Sequence, residues 1–172
     1  QNTYKKDKTE LKKMISTMNK TTNKMIIEDT KFLLEYIDNN FKNTNNVGIL
    51  GYCMSGRFVI SCGGTYPKKI KAIASFYGVD ICTDKPDSAH IFGRDIDAEL
   101  YLAFAEKDAW VNEKQLDQIK NIFKATSKKC TIEIYPATDH GFAFPERNTY
   151  NKDAAERHWI KMMQLFNRNL KD

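Results

Sequence analysis

The sequence predicts the α/β fold class, with a mostly parallel sheet that is flanked by helices. Short apolar segments with strand character alternate along the chain with longer segments of helical periodicity, which is the order of parallel α/β sheets. The run "VGILGY" at 47–52 is apolar without alternation and is bounded by turn residues, as in a central, buried strand. No repeat or linker divides the 172 residues, so we expect one domain over 1–172.

Two helices are predicted before this strand. Apolar residues recur at helical spacing in 11–20, and the stretch "TTN" at 21–23 interrupts the pattern. A second helix is predicted over 29–41, and its apolar side carries Leu33, Leu34, Ile37 and Phe41.

The elements after the strand complete the alternation. A helix is predicted from Gly56 to about Cys62, ended by Gly63, Gly64 and Pro67. The later elements are strands at 71–78, 99–105 and 130–136 and amphipathic helices at 111–125 and 151–170. Pro136 indicates an edge or near-edge strand. The helix at 151–170 is expected to face the sheet with Ala155, Trp159, Met162, Phe166 and Leu170. The polar segment 79–98 is too long for a simple connection, which indicates an active-site loop.

The composition argues against nucleic-acid and membrane partners. The net charge is +5, but the lysines are scattered and form no basic patch. No apolar stretch has the length of a membrane span. The four cysteines lack zinc-ligand spacing, so we expect reduced thiols in a cytoplasmic protein. The sequence does not indicate an oligomeric state.

Three reactive side chains follow three of the predicted strands. Cys53 follows the first strand, Asp108 the third and His140 the fourth. The carboxyl ends of parallel strands meet at one edge of the sheet, which is where ligands bind. The order nucleophile, acid, histidine is that of the α/β-hydrolase triad. The separations of 55 and 32 residues leave room for a strand–helix unit between each pair.

These residue types suit nucleophilic catalysis by a thiolate. The start of a helix and a neighbouring histidine both lower the pKa of a thiol, and Cys53 would have both. Asp108 would orient the imidazole of His140 and stabilise its charged form. Gly51 and Gly56 would permit a strained turn around Cys53.

The backbone N–H of Met54 would point at the substrate carbonyl oxygen as one donor of an oxyanion hole.

Each of these residues also has an interpretation without catalysis. A cysteine after a strand is typical of a small buried side chain. Asp108 and Asp139 could each cap the helix that follows, and His140 beside Gly141 could be a turn residue. The remaining histidines and cysteines are predicted to be structural: His90 in a loop, His158 on a helix surface, and Cys62, Cys82 and Cys130 without an acid or base companion.

The motifs "GYCMSG", "AEKDAWV" and "YPATDHGFAFPERNTYNKDAAERHW" resemble the dienelactone hydrolase family (carboxymethylenebutenolidases), a cysteine branch of the α/β-hydrolases. The resemblance runs in order from about residue 27 to the C-terminus. It implies the α/β-hydrolase fold and the opening of cyclic enol-lactones such as dienelactone to maleylacetate, without a metal or organic cofactor. It also implies that Cys53 is the nucleophile, Asp108 the acid and His140 the base.

Two positions depart from the family pattern. Ser55 replaces the first glycine of the final pair in the Gly-x-Cys-x-Gly-Gly turn, and the turn is expected to survive. Phe144 stands where the family has an arginine that grips the substrate carboxylate, and Arg147 follows three residues later. We therefore expect a moderately apolar pocket, with candidate substrate-binding residues Tyr52, Trp110, Phe144 and Arg147.

The chain shows about four strands, whereas the resembled fold has about twice as many. The first strands of the family carry the second oxyanion donor, a glutamate near the nucleophile and another substrate arginine. We expect the chain to be the C-terminal part of a longer hydrolase, with the missing N-terminal segment as a partner and with one open sheet edge.

The sequence thus predicts a cysteine-dependent hydrolase that opens a lactone or cleaves an ester. A general carboxylesterase or thioesterase is the alternative within the same class. A non-catalytic protein of the same fold, with a redox-sensitive cysteine, is the alternative from a different class.

Overall fold

A computed structural model describes residues 8–42, 45–126 and 129–170 of the chain. Its helices are α1 Lys8–Lys20, α2 Asn23–Asn40, α3 Ser55–Thr65, α4 Glu113–Thr126 and α5 Lys152–Asn169. Its strands are β1 Val47–Tyr52, β2 Ile70–Phe76, β3 Glu99–Lys107 and β4 Cys130–Asp139, and a 3₁₀ helix spans Ala89–Asp95. None of the helices in these ranges is long and apolar enough to cross a membrane.

The four strands form one parallel sheet in the order β1-β2-β3-β4, which confirms the predicted fold class. Over the described ranges, β1 pairs with β2 alone and is an edge strand, and Leu50 on it is 40% exposed. The strand predicted to be central and buried is therefore an edge strand within the described ranges, and the open edge expected from the sequence lies at β1. The strand with Pro136, β4, forms the opposite edge, as predicted.

Side chains of β2 and β3 alternate between two apolar cores, one on each face of the sheet. Ile73 and Leu102 pack with Ile119 and Phe123 of α4, on the face that α3 also covers. The opposite face packs against α5 through the buried residues Ala72, Ala74, Phe76, Tyr101, Ala103, Met162 and Leu165.

The prediction for α3 was wrong at its C-terminal end. The helix continues through Gly63 and Gly64 to Thr65. A Cβ on Gly63 would lie 2.1 Å from a methyl carbon of Ile73, and one on Gly64 would lie 2.3 Å from the carbonyl oxygen of Phe92. These glycines permit close packing within the helix rather than ending it.

The predictions of which residues form the buried faces of α2 and α5 were partly wrong. On α2, Leu34 is buried but Leu33 is exposed, and Phe41 lies exposed after the end of the helix. Helix α2 also begins earlier, at Asn23, because the side chain of Thr22 caps it by accepting the N–H of Met25. The buried face of α5 consists of Ala154, Ala155, His158, Met162 and Leu165, whereas Trp159 is exposed.

Strand β4 extends beyond Pro136 to Asp139 because a bulge absorbs extra residues. Ala105 pairs with Tyr135, and Lys107 pairs with Asp139. Within the bulge, Ala137 has a φ of 54° and its N–H donates to the carboxylate of Glu106 at 2.8 Å. The bulge delivers the chain to His140 at the carboxyl edge of the sheet.

The segment 79–98 is not an open loop. Its 3₁₀ helix packs against α3, and Ala89 and Gly93 within it are buried. Its first residue does contact the turn that carries Cys53, because the N–H of Val79 donates to the carbonyl oxygen of Cys53 at 3.2 Å.

Candidate active site

Cys53 occupies a strained turn between β1 and α3. Its φ of 54° lies in the left-handed region, which is unfavourable for a residue with a side chain. The backbone is fixed on both sides, since the N–H of Cys53 donates to Phe76 at 3.0 Å and its carbonyl oxygen accepts from Gly56 at 3.1 Å. A Cβ on Gly51 would lie 2.3 Å from the carbonyl oxygen of Ser55, so the turn requires glycine there.

Ser55 fits this turn, as expected. Its hydroxyl accepts the N–H of Tyr52 and donates to the carbonyl oxygen of Tyr52, both at 2.8 Å. The serine therefore ties the end of β1 to the start of α3.

Asp108 and His140 are joined at the ends of β3 and β4. Nδ1 of His140 lies 2.9 Å and 3.0 Å from the two carboxylate oxygens of Asp108 and donates its proton there, which leaves Nε2 available on the other side of the ring. Asp108 also accepts the N–H of Trp110 at 2.8 Å, so it closes a turn as well as orienting the ring. Asp139, the other candidate acid, is exposed.

The electrostatics of Cys53 favour the thiolate. Burial raises the pKa of the thiol, but the hydrogen bond and charge of His140, the N–H of Met54 and the charge of Arg147 outweigh burial and lower the pKa below its ordinary value. Burial lowers the pKa of His140, but Asp108 and Cys53 more than compensate and raise it to about 9. The arrangement therefore stabilises a thiolate beside an imidazolium.

The imidazole of His140 and the backbone N–H of Met54 both contact the thiol of Cys53. Nε2 of His140 is buried on the side of the ring away from Asp108, and the ring interacts there with the Cys53 thiol. The N–H of Met54 at the start of α3 interacts with the same thiol. A carbonyl carbon attacked by this sulfur would have an N–H and an imidazolium within reach.

Aromatic side chains surround these residues. Tyr52 and Phe144 pack edge to face with ring centres 5.1 Å apart, and Phe144 is 38% exposed. Trp110 is 59% exposed, with its ring centre 6.2 Å from that of His140. Trp110 thus gives exposed aromatic surface beside His140, and Phe144 gives it beside Tyr52, the residue before Cys53.

The fourth candidate, Arg147, is half-buried beside the site. Gly141 has a φ of +87°, and a Cβ there would lie 2.6 Å from Nη1 of Arg147, so the arginine side chain lies across this glycine. Its positive charge lowers the pKa of Cys53.

Sequence reasoning missed Tyr77 and misplaced His158. The ring centre of Tyr77 lies 4.9 Å from that of His140. Its position directly after β2, at the same sheet edge as Cys53, was the available signal. His158, predicted on a helix surface, is instead 1% exposed and hydrogen-bonded to Tyr52.

The electrostatics of the other three cysteines are the opposite of those of Cys53. All are free thiols, and burial raises the pKa of each: Cys62, Cys82 and Cys130. Among the residues that the structure describes, no three histidine, cysteine or acidic side chains cluster so as to hold a metal ion.

Comparisons with known proteins agree with the resemblance. Residues 1–170 match the dienelactone hydrolase family. A protein of Synechocystis named as a proposed carboxymethylenebutenolidase is 31% identical over 156 residues, which are 88% of this chain and 62% of that protein. Its counterpart in Escherichia coli is 21% identical over 86% of this chain and 55% of that protein.

Among solved structures, a proposed dienelactone hydrolase from Klebsiella pneumoniae is similar with a TM-score of 0.82 and 21% identity, over 96% of this chain and 69% of that one. This likeness establishes the fold. The chain spans somewhat more than half the length of the two curated relatives above. With the family match over almost its whole length, the chain belongs to the dienelactone hydrolase family and has the α/β-hydrolase fold.

Proposed function

We propose that the protein is a cysteine hydrolase that opens a lactone or cleaves an ester, with Cys53 as nucleophile, His140 as general acid and base, and Asp108 as the acid that orients the ring. The observation that carries this proposal is the geometry of the three residues: Asp108 holds Nδ1 of His140, and the same ring contacts the Cys53 thiol. The electrostatics agree with this geometry. The pKa of the Cys53 thiol is lowered, and that of His140 is raised to about 9. Such a pair is poised for nucleophilic attack near neutral pH.

The reaction then follows in two halves. The thiolate of Cys53 attacks the carbonyl carbon, and the electron pair of the C=O bond moves to the oxygen, which the N–H of Met54 stabilises. The imidazolium of His140 gives its proton to the leaving alkoxide as the C–O bond breaks, which leaves a thioester on Cys53. Neutral His140 takes a proton from a water molecule, whose oxygen attacks the carbonyl carbon of the thioester. The C–S bond then breaks, which releases the carboxylic acid and restores the Cys53 thiolate beside the imidazolium of His140. Asp108 stays ionised throughout.

The side chains around the site favour the binding of neutral substrates with short apolar groups. Phe144 stands where the family arginine would bind a carboxylate, and Tyr52 and Trp110 add aromatic surface. A general carboxylesterase is compatible with the same surface.

Hydrolysis of p-nitrophenyl acetate and the pH profile of iodoacetamide labelling together test the proposal. The wild-type protein should release p-nitrophenol with turnover, and Cys53 should label well below pH 7. Cys53→Ala should abolish both signals with an unchanged circular dichroism spectrum, and Cys53→Ser should retain at most a trace of turnover. Cys62→Ala is the matched control and should leave both unchanged.

The outcomes separate the candidate functions. Full turnover in Cys53→Ala would overturn the assignment of the nucleophile. Labelling at low pH without turnover of any ester, thioester or lactone would support the non-catalytic protein with a redox-sensitive cysteine instead.

A further inference from the structure

His158 connects helix α5 to the turn that carries Cys53. The residue is buried, and its Nε2 lies 2.9 Å from the hydroxyl oxygen of Tyr52, the residue that precedes Cys53. A buried polar side chain is costly unless its hydrogen bonds are satisfied, and here both ring nitrogens have a partner.

The direction of this hydrogen bond follows from the second ring nitrogen. Nδ1 of His158 lies against the carbonyl oxygen of Ala155, which can only accept, so Nδ1 carries a proton. Burial lowers the pKa of His158 and favours the neutral ring. In a neutral ring with a protonated Nδ1, Nε2 is an acceptor. Tyr52 therefore donates, and burial keeps its proton in place by raising its pKa to about 12.

Packing fixes both rings in this arrangement. The ring of Tyr52 stacks on Phe76 with centres 5.2 Å apart, and the ring of His158 meets Phe76 edge to face at 4.8 Å. The hydroxyl of Tyr52 therefore has a defined position relative to the sheet.

Tyr52 transmits this position to the nucleophile through the main chain. Its N–H and its carbonyl oxygen are both held by the hydroxyl of Ser55. The next residue, Cys53, has a φ of 54°. A strained residue keeps its conformation only when the surroundings hold it on several sides. The Tyr52 hydroxyl is the side-chain anchor on the β1 side of the turn.

We propose that His158 is a positioning residue for the nucleophile, which acts by accepting the hydroxyl proton of Tyr52 and thereby holds the Cys53 thiol between His140 and the N–H of Met54. This inference rests on the proposed function. It assigns a role to helix α5 in a site whose reactive groups follow β1, β3 and β4.

Two single variants and their combination test the inference. Tyr52→Phe removes one oxygen and keeps the ring, and His158→Leu removes the acceptor. Each should raise the iodoacetamide-labelling pKa of Cys53 by about one unit, a roughly tenfold loss of labelling rate at acidic pH. For p-nitrophenyl acetate, each should lower kcat with KM changed by less than about twofold. The double variant should be no worse than the worse single variant, because both remove the same bond.

A rescue variant and a matched control exclude a purely structural effect. His158→Gln keeps an acceptor within reach of the Tyr52 hydroxyl and should restore most of the labelling profile. Leu165→Ala, in the same helix and the same core, should lower the melting temperature and leave the labelling pKa of Cys53 unchanged.

Three results would contradict the inference. Additive effects of the two single variants, an unchanged labelling profile in Tyr52→Phe, or a shift in Leu165→Ala as large as that in His158→Leu would overturn it. Labelling does not depend on turnover. A wild-type protein without esterase activity would therefore contradict the proposed function, while the labelling series would still decide the role of His158.

Discussion

Asp108 and His140 are held by two contacts rather than one, since Nδ1 of the ring is within 3.0 Å of both carboxylate oxygens. Their side chains are only 1% and 9% exposed. The bond is therefore shielded from water, and it fixes which nitrogen of His140 faces the thiol.

Asp108→Asn should lower kcat for p-nitrophenyl acetate by about 10³–10⁴, because an amide can donate to Nδ1 and then favours the wrong tautomer of His140. Asp139→Asn is the matched control, since Asp139 adjoins His140 in sequence but is exposed, and its kcat should stay within about twofold of wild type. A larger loss in Asp139→Asn than in Asp108→Asn would identify Asp139 as the acid.

The plot of the hydrolysis rate against pH should be bell-shaped. The thiolate is lost as the pH falls through the pKa of the Cys53–His140 pair, which lies below the ordinary value of a thiol. The imidazolium is lost as the pH rises through about 9, so the rate should fall there. His140→Ala should remove most of the rate and raise the labelling pKa of Cys53. The ring of His90 hydrogen-bonds to Ser88 instead, so the control variant His90→Ala should leave the pH profile unchanged. An alkaline plateau without decline would contradict the role of protonated His140.

Neutral short esters or lactones should be hydrolysed at least as well as dienelactone, which carries a carboxylate. The measurement is the ratio of kcat/KM for dienelactone to that for p-nitrophenyl acetate, which cancels any change in the thiol pKa. Arg147→Ala should change this ratio by less than about threefold, as should Arg157→Ala, whose guanidinium pairs with Glu133 on β4. A charged hydrogen bond contributes roughly tenfold or more. A loss of that size in Arg147→Ala alone would assign carboxylate binding to Arg147.

Gly56→Ala should lower the free energy of unfolding in urea by about 1–3 kcal/mol. The added Cβ would lie 2.5 Å from the Cα of Gly78, and backbone cannot move aside cheaply. Gly48→Ala is the control, because its Cβ would meet the side-chain ends of Leu170 and Phe166 at 2.7 and 3.0 Å, which can shift. Equal losses in both variants would show that the turn is less tightly packed than the distances imply.

The sheet and the cluster of Cys53, Asp108 and His140 could be predicted because each depends on local patterns. The order of strands and helices sets the topology, and the topology brings the residues that follow the strands to one edge. His158 could not be predicted in this way. A periodicity count treats histidine as polar and assigns it to the outer face of α5, whereas two hydrogen bonds allow it to be buried.

Gly63 and Gly64 are a second case in which the local sequence pattern gave the wrong prediction. Locally they indicate a helix end, but Ile73 of β2 and Phe92 of the 3₁₀ helix pack against them and require their small size. Contacts between different elements of the fold decided both cases.

The bulge in β4 has a consequence for how this protein can change by insertion or deletion. From Ala105 to Lys107, strand β3 advances by two residues. The stretch of β4 that pairs with it, from Tyr135 to Asp139, advances by four. β4 therefore has two surplus residues, and an even surplus keeps the pairing of Asp139 with Lys107 in the same parity as that of Tyr135 with Ala105. Surface connections usually accept the gain or loss of one residue. Here we expect a single-residue deletion at 136–138 to turn His140 to the opposite face of the sheet, while the loss of two residues would keep it beside Asp108.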